Sequence, residues 1–249
     1  MRIIISPAKK MQVDTDSLPI QALPDFLPET ERLLTALRAM SPKELQTLWK
    51  CNDAIAALNV ERLADMDLRS GLTPAILSYE GIQYQYMAPG VFEAGQYDFI
   101  QERLRIVSGF YGLLRPFDGV TPYRLEMQAK LAVDGCKDLY AFWGGKLARR
   151  LAEETDFVLD LASREYSQCV SRHVPDRVRF LTCVFGERKG DRLVEKGTMC
   201  KMARGEMVRF MAERRIEDPA ELTAFDRLGY RYAPEESGGT TYTFIKEET

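Results

Sequence analysis

ERLRIVSGFYGLLRPFDGVTPYRLEM, residues 102–127, is the segment around which the chain is arranged. Gly109, Gly112, Pro116, Gly119 and Pro122 punctuate it, and Arg103, Arg105, Arg115 and Arg124 are interleaved with Phe110, Tyr111, Phe117 and Tyr123. Two conformations are open to it. Tyr97, Ile100, Leu104 and Val107 recur at helical spacing, which predicts an amphipathic helix over 96–107 that runs into SGFYG at 108–112. A helix that stops at Gly-aromatic-aromatic-Gly and restarts is a helix-hairpin-helix-like element. Such a unit holds nucleic-acid backbone through hairpin amides and the positive end of its second helix. Pro116 keeps that second helix short. The alternative is a buried strand over 110–114. In either conformation, guanidinium groups beside glycine amides suit an oxyanion; the plainer reading is a tight turn carrying surface arginines.

Working outward, RIIIS at 2–6 is a short β-branched run ended by Pro7, the signature of a buried strand. The loop that follows carries Lys9. In α/β sheets ligands bind outside strand C-termini, which makes Lys9 a candidate anion ligand. FVLDL at 157–161 is a second such strand, and it runs into Ser163 and Glu165 at a strand-to-helix turn with Ser163 as the expected N-cap. PAILSY at 74–79 and VRFLTCVF at 178–185 read as further strands, with the return strand starting at Arg192 and an edge hairpin over 230–232 and 241–245. Helices are predicted near 28–40, after the Ser41–Glu44 capping box, around Ile55, Leu58 and Leu63, over 137–154 and over 198–215. In the last of these, Met199, Ala203, Met207 and Phe210 share the buried face, while Lys201, Arg204 and Arg215 lie opposite with Gly205 beside Lys201. Glycine inside a helix marks a close approach, either of packed backbone or of an anionic ligand. The expected fold is α/β, a single domain over 1–249 with a mixed sheet flanked by helices.

Composition narrows the functional classes. Of 249 residues, 45% are hydrophobic and 29% charged, ordinary globular values. No apolar run approaches membrane-spanning length, and the N-terminus is too short in its apolar run for a signal peptide, so the expected location is cytoplasmic with no membrane partner. The net charge of −3 argues against indiscriminate nucleic-acid binding. Two internal blocks are basic, however: residues 100–150 carry nine basic and five acidic groups, and residues 164–215 carry thirteen and seven. Brought together, they would make a positive cleft on an acidic protein. Five widely spaced cysteines without a CxxC pair and a single histidine, His173, exclude zinc ribbons, thioredoxin-type motifs and two-histidine metal sites. No GxSxG, GxxxxGK[ST] or GxGxxG motif occurs. No catalytic residue, metal ligand or cofactor is assigned, and the remaining arginine, lysine, aromatic and glycine chemistry supports binding more than catalysis.

The motifs SPAK (6–9), SGFYGLLRPFD (108–118) with PYRLEM (122–127), KDLYAFWG (137–144), LASREY (161–166) and KMARGEMVR (201–209) together resemble the YaaA family of peroxide stress resistance proteins, in order and over almost the whole chain. The resemblance implies a family-specific α/β fold with a positive cleft and a helix-hairpin-helix element. It also implies binding to double-stranded or distorted DNA and a role in limiting free intracellular iron, and hence Fenton damage, under hydrogen peroxide. The residues expected at phosphates are Lys9, Gly109, Gly112, Arg115, Arg124, Lys201, Arg204 and Gly205. Ser6, Tyr123, Glu126, Ser163 and Glu165 are the further polar candidates for the cleft. A second hypothesis is an enzyme acting on a phosphorylated or nucleotide-like small molecule, with Tyr123, Arg124 and Glu126 as acid/base and anion clamp. A direct iron or haem binder is disfavoured by the single histidine. The oligomeric state is left open.

Overall fold

The computed structural model describes residues 1–190 and 192–247, and among these the main sheet has eight strands. Strand β1 (Arg2–Ile5) lies in its interior, with all three isoleucines fully buried. It pairs in parallel with β2 (Leu104–Ser108) on one side and with β4 (Phe157–Leu161) on the other. Beyond β2 lies the antiparallel edge strand β3 (Gly112–Leu114). Beyond β4 come β5 (Arg179–Lys189) and β8 (Thr241–Lys246), both parallel, then β7 (Tyr230–Tyr232), antiparallel at the other edge. Strand β6 (Arg192–Val194) folds back on the end of β5. The chain thus builds outward from β1 to one side first and then crosses to build the other. The order reverses between β1 and β4, and the crevice outside the carboxyl ends of such a strand pair is where open α/β sheets bind ligands.

Within 102–127, residues 104–114 form a β-hairpin: the helix expected over 96–107 is present over Ala94–Arg103 but gives way to strand at Leu104, the helix-hairpin-helix reading of 108–116 is overturned, and the alternative of a buried strand over 110–114 holds at Gly112–Leu114. Helix α5 (Ala94–Arg103) stops where β2 begins. All five residues of β2 are buried, Arg105 included, so the strand is covered on both faces and has no alternation to betray it. Ser108 Oγ closes the turn by accepting from the amides of Phe110 (3.1 Å) and Tyr111 (2.9 Å). Trp143 Nε1 donates to the Gly109 carbonyl at 3.0 Å. A Cβ on Gly109 would lie 2.7 Å from the Leu125 carbonyl oxygen; Gly112, at φ 75°, would place one 2.8 Å from the Trp143 ring. Both glycines serve close packing inside the protein, and neither presents an amide to a phosphate.

The helices that position the site follow with smaller corrections. Helices α1 (Leu27–Arg38), α2 (Pro42–Trp49) and α3 (Asp53–Asp65) form the expected scaffold, and the Ser41–Glu44 capping box is present. In α3, Ala56, Asn59 and Leu63 face inward, while Ile55 and Leu58 are exposed. The strand expected at 74–79 is a buried helical turn, Ala75–Ser78, flanked by the two-residue strands Thr73–Pro74 and Tyr79–Glu80. Helix α4 (Ile82–Met87) follows directly. The helix expected over 137–154 breaks at Gly144 (φ 47°) into α6 (Leu139–Trp143) and α7 (Lys146–Glu154). Helix α8 (Arg164–Ser171) leaves the end of β4, and α9 (Gly197–Arg214) has Lys196, not Thr198, as its N-cap residue. Ala203, Met207 and Phe210 of α9 are buried as expected. Gly205 faces α4: a Cβ there would sit 2.1 Å from the Gln83 carbonyl oxygen, so the glycine is set by helix packing and not by a ligand.

Candidate functional site

The loops leaving β1 and β4 meet at the reversal point. Ser6 is the first residue after β1 and Ser163 the second after β4. The Ser163 amide donates to Ser6 Oγ at 2.8 Å, and Ser6 Oγ donates to Ser163 Oγ at 3.1 Å. Ser163 is the N-cap residue of α8, as predicted, but its side chain makes no cap bond; it is turned to Ser6 instead. The Tyr84 hydroxyl donates to the Ser6 carbonyl at 2.9 Å, tying α4 to the same loop. Gly81 allows this approach, since a Cβ there would lie 2.9 Å from Ala8 Cβ.

These elements and α9 enclose a pocket of about 380 Å³. Of the residues expected at a site, Ser6, Lys9, Ser163, Glu165, Lys201 and Arg204 line it together. Sequence reasoning missed Lys10, Glu80, Gln83 and Tyr84, which complete the wall. Glu80, Gln83 and Tyr84 come from a two-residue strand and a six-residue helix, too short to carry a periodic signal. Lys9 pairs with Glu126 at 2.8 Å and Lys10 with Glu80 at 2.6 Å, yet their side chains remain 62% and 78% exposed. Arg124 stands behind Glu126 at 3.6 Å and reaches the Trp49 carbonyl at 3.5 Å. Arg204 lies deep, with a side chain 13% exposed and a loose 3.8 Å contact to Glu195. Lys201, one turn earlier, is exposed and makes no ion pair among the described residues.

Two carboxylates tune this region. Burial raises the pKa of Glu165; the 3.2 Å bond it accepts from the Gln128 amide opposes the rise, nearby Glu126 adds to it, and Lys9 counters it. Burial also raises Asp160, against bonds accepted from Ser167 Oγ (2.5 Å), the Ala162 amide (2.9 Å) and Thr182 Oγ1 (3.3 Å), and against the charge of Arg204. Arg204 thus acts on Asp160 through its charge, with no direct hydrogen bond between them among the described residues.

Five expected site residues lie elsewhere. Gly109, Gly112 and Gly205 are packing positions, held by the close approaches of Leu125, Trp143 and Gln83. Tyr123 is buried in the core; its hydroxyl bonds to Ser108 Oγ (2.6 Å) and Tyr79 OH (2.9 Å), and burial pushes its pKa up, so it is no accessible acid or base. Arg115 is also misplaced, belonging to an ion-pair network at the opposite end of the sheet through Asp25 (3.0 Å) and Asp118 (3.0 Å). Of the two basic blocks of the sequence, only 164–215 contributes basic side chains to the lining of this pocket, through Lys201 and Arg204. All five cysteines are unpaired. Burial pushes the Cys169 thiol up to about 12 and raises Cys183 and Cys200, which removes the thiolate character a peroxide-reactive cysteine needs.

Among the described residues, no helix is long and apolar enough to cross a membrane. Comparison with known proteins gives a consistent family. The chain is 56% identical over 249 residues to a UPF0246 protein of Lachnoclostridium phytofermentans, covering 100% of this chain and 98% of the relative. It is 50% identical over 247 residues to a UPF0246 protein of Agathobacter rectalis, covering 99% of each. A third, from Desulfitobacterium hafniense, is 50% identical over 246 residues, covering 99% of this chain and 98% of the relative. The family described as "Peroxide stress protein YaaA" matches residues 1–236. The chain belongs to the YaaA family of peroxide stress proteins.

Proposed function

We propose that this protein serves peroxide-stress defence by binding double-stranded or distorted DNA along the rim of the pocket between β1 and β4. Lys9, Lys10 and Lys201 carry the phosphate contacts. The convergence of three exposed lysines on the strand-end crevice is the observation that supports this reading. On binding, Lys9 and Lys10 exchange Glu126 and Glu80 for phosphate oxygens. Contacts of this kind position a protein without reading bases, so sequence preference is weak. The limiting of free iron implied by the family resemblance is part of the same proposal and rests on that resemblance.

Fluorescence anisotropy with duplex DNA at two salt concentrations tests the contact model. Three phosphate contacts predict that affinity falls roughly 40-fold between about 50 and 200 mM salt. Affinity unchanged over that range removes the model.

A further inference from the structure

We propose that the inner wall of the pocket is a seat for a terminal phosphate, a phosphomonoester, distinct from the lysine rim. Gln83 is 7% exposed, and its side-chain amide nitrogen has no hydrogen-bond partner among the described residues. Arg204 Nε is likewise buried without a partner. Both side chains line the same pocket. Buried donors are seldom left unmet in native proteins, and two converging on one cavity mark the place of an acceptor. A third donor is at hand. Ser163 Oγ accepts from Ser6, which leaves its own proton free, and because Ser163 makes no cap bond the first turn of α8 is uncovered beside it. A guanidinium, an amide, a hydroxyl and a helix N-terminus around one cavity suit an oxyanion.

The burial of these donors selects the type of phosphate. A phosphate inside a duplex is flanked by sugar on both sides and carries one charge, so it reaches the exposed lysines and not a side chain more than nine-tenths buried. A terminal phosphate is attached on one side only and carries nearly two charges at neutral pH. The pocket volume lies in the range of small-ligand sites. Glu80 and Glu165 also line it and are acceptors for hydroxyls or amines of the attached group. Two sources present this chemistry: a free mononucleotide, or the 5′-phosphorylated end of a DNA strand.

Calorimetric titration of the full chain with AMP and with inorganic phosphate tests the seat. Anisotropy with one duplex sequence bearing 5′-phosphate or 5′-hydroxyl ends assigns the source. Wild type is expected to bind AMP, and Gln83→Leu to weaken that binding about tenfold. Gln83→Glu, which keeps the shape and adds a repelling charge, is expected to weaken it further. Melting of each unliganded variant confirms that it is folded. A tighter complex with the 5′-phosphate duplex supports the strand end as the source. AMP binding with no difference between the duplexes supports the free nucleotide. AMP binding without any duplex binding upholds the seat and removes the DNA-binding proposal. The seat is overturned if neither AMP, inorganic phosphate nor the 5′-phosphate end binds, or if both folded Gln83 variants bind AMP as wild type does.

Discussion

The two ends of the β1 strand use the same residue types to opposite effect. At its start, Glu154 accepts from Arg2 Nε at 2.8 Å, contacts Arg105 Nη2 at 2.6 Å and contacts Arg150 at 3.0 Å. Asp25 joins Arg150 (2.9 Å) to Arg115 (3.0 Å), and Arg115 continues to Asp118. Each of these guanidinium groups is met by a carboxylate, and the network is closed. At the end of β1, Arg204 and Gln83 keep buried donors without partners among the described residues, and Lys201 makes no ion pair there. Basic density alone therefore does not locate a site. What distinguishes the ends is where the carboxylates go: at the start of β1 they meet every one of these guanidinium groups, whereas at its end they pair with the exposed lysines and leave buried donors of Gln83 and Arg204 unmet. The 102–127 segment shows this within one stretch, since it sends Arg105 and Arg115 to the closed network and Arg124 toward Glu126.

The largest effect is expected from breaking the closed end. Glu154→Gln leaves Arg105, which is 5% exposed, without its counter-ion. Loss of one partner of a buried pair costs about 3–5 kcal/mol, measurable by urea denaturation. The pH dependence carries the same signature. Burial alone would raise the Glu154 pKa, but the bonds and charges of Arg2, Arg105 and Arg150 outweigh it and hold the carboxyl below its ordinary value of 4.5. A depressed carboxylate contributes stability that is present above its unfolded pKa and lost as pH falls through the folded one. Wild type should therefore lose stability more steeply than Glu154→Gln as pH falls below 4.5. Equal slopes would show that the network contributes nothing.

Arg115→Ala sharpens the contrast between the ends. Asp118 has a side chain 1% exposed, and burial pushes its pKa up to about 6, against the bonds and charge of Arg115. A raised carboxylate contributes stability below its unfolded value of 3.8, and that contribution is lost as pH rises through about 6. Removing Arg115 raises the pKa further and is expected to cost about 1–3 kcal/mol at neutral pH. The slope of DNA affinity against salt should not change. A slope reduced by about 1 would return Arg115 to the phosphate contacts.

Much of the architecture was legible in the sequence. The β-branched run of β1, the FVLDL strand, the capping box of α2 and the buried face of α9 follow from local period and cap chemistry. Ser6, Lys9, Ser163, Glu165, Lys201 and Arg204 could be proposed because strand ends and helix faces are local features. The rest depended on distance in sequence. Strand β2 is buried on both faces, so its residues mimic a helical stripe. Gly205 reads as a gap for a ligand until α4 is seen against it, 122 residues earlier in the chain at Gln83. Arg115 looks like a phosphate contact until Asp25 arrives from the loop before α1.

Gly205→Ala tests whether that helix contact holds the open end in shape. A Cβ 2.1 Å from the Gln83 carbonyl forces α4 away from α9, at a cost of about 1–3 kcal/mol in thermal or urea unfolding. Gly197, in the first turn of the same helix, has nothing within 4 Å of the point a Cβ would occupy. Gly197→Ala is therefore the internal control and should be neutral or stabilising by about 0.4–1 kcal/mol. Similar gains at both positions would mean that helix propensity, and not the α4 contact, governs α9.

The smallest effect on stability and the clearest on function belong to Lys201. Its side chain is exposed and makes no ion pair among the described residues, so Lys201→Ala should change stability by no more than about 0.5 kcal/mol. If it contacts a DNA phosphate, its loss weakens binding about equally for all sequences and lowers the salt slope by about 1. Arg115→Ala is the mirror image, with stability lost and slope kept. If instead Lys201→Ala leaves both stability and slope untouched, the charge at the open end is an ordinary solvated lysine, and the contrast between the two ends reduces to Gln83 and Arg204.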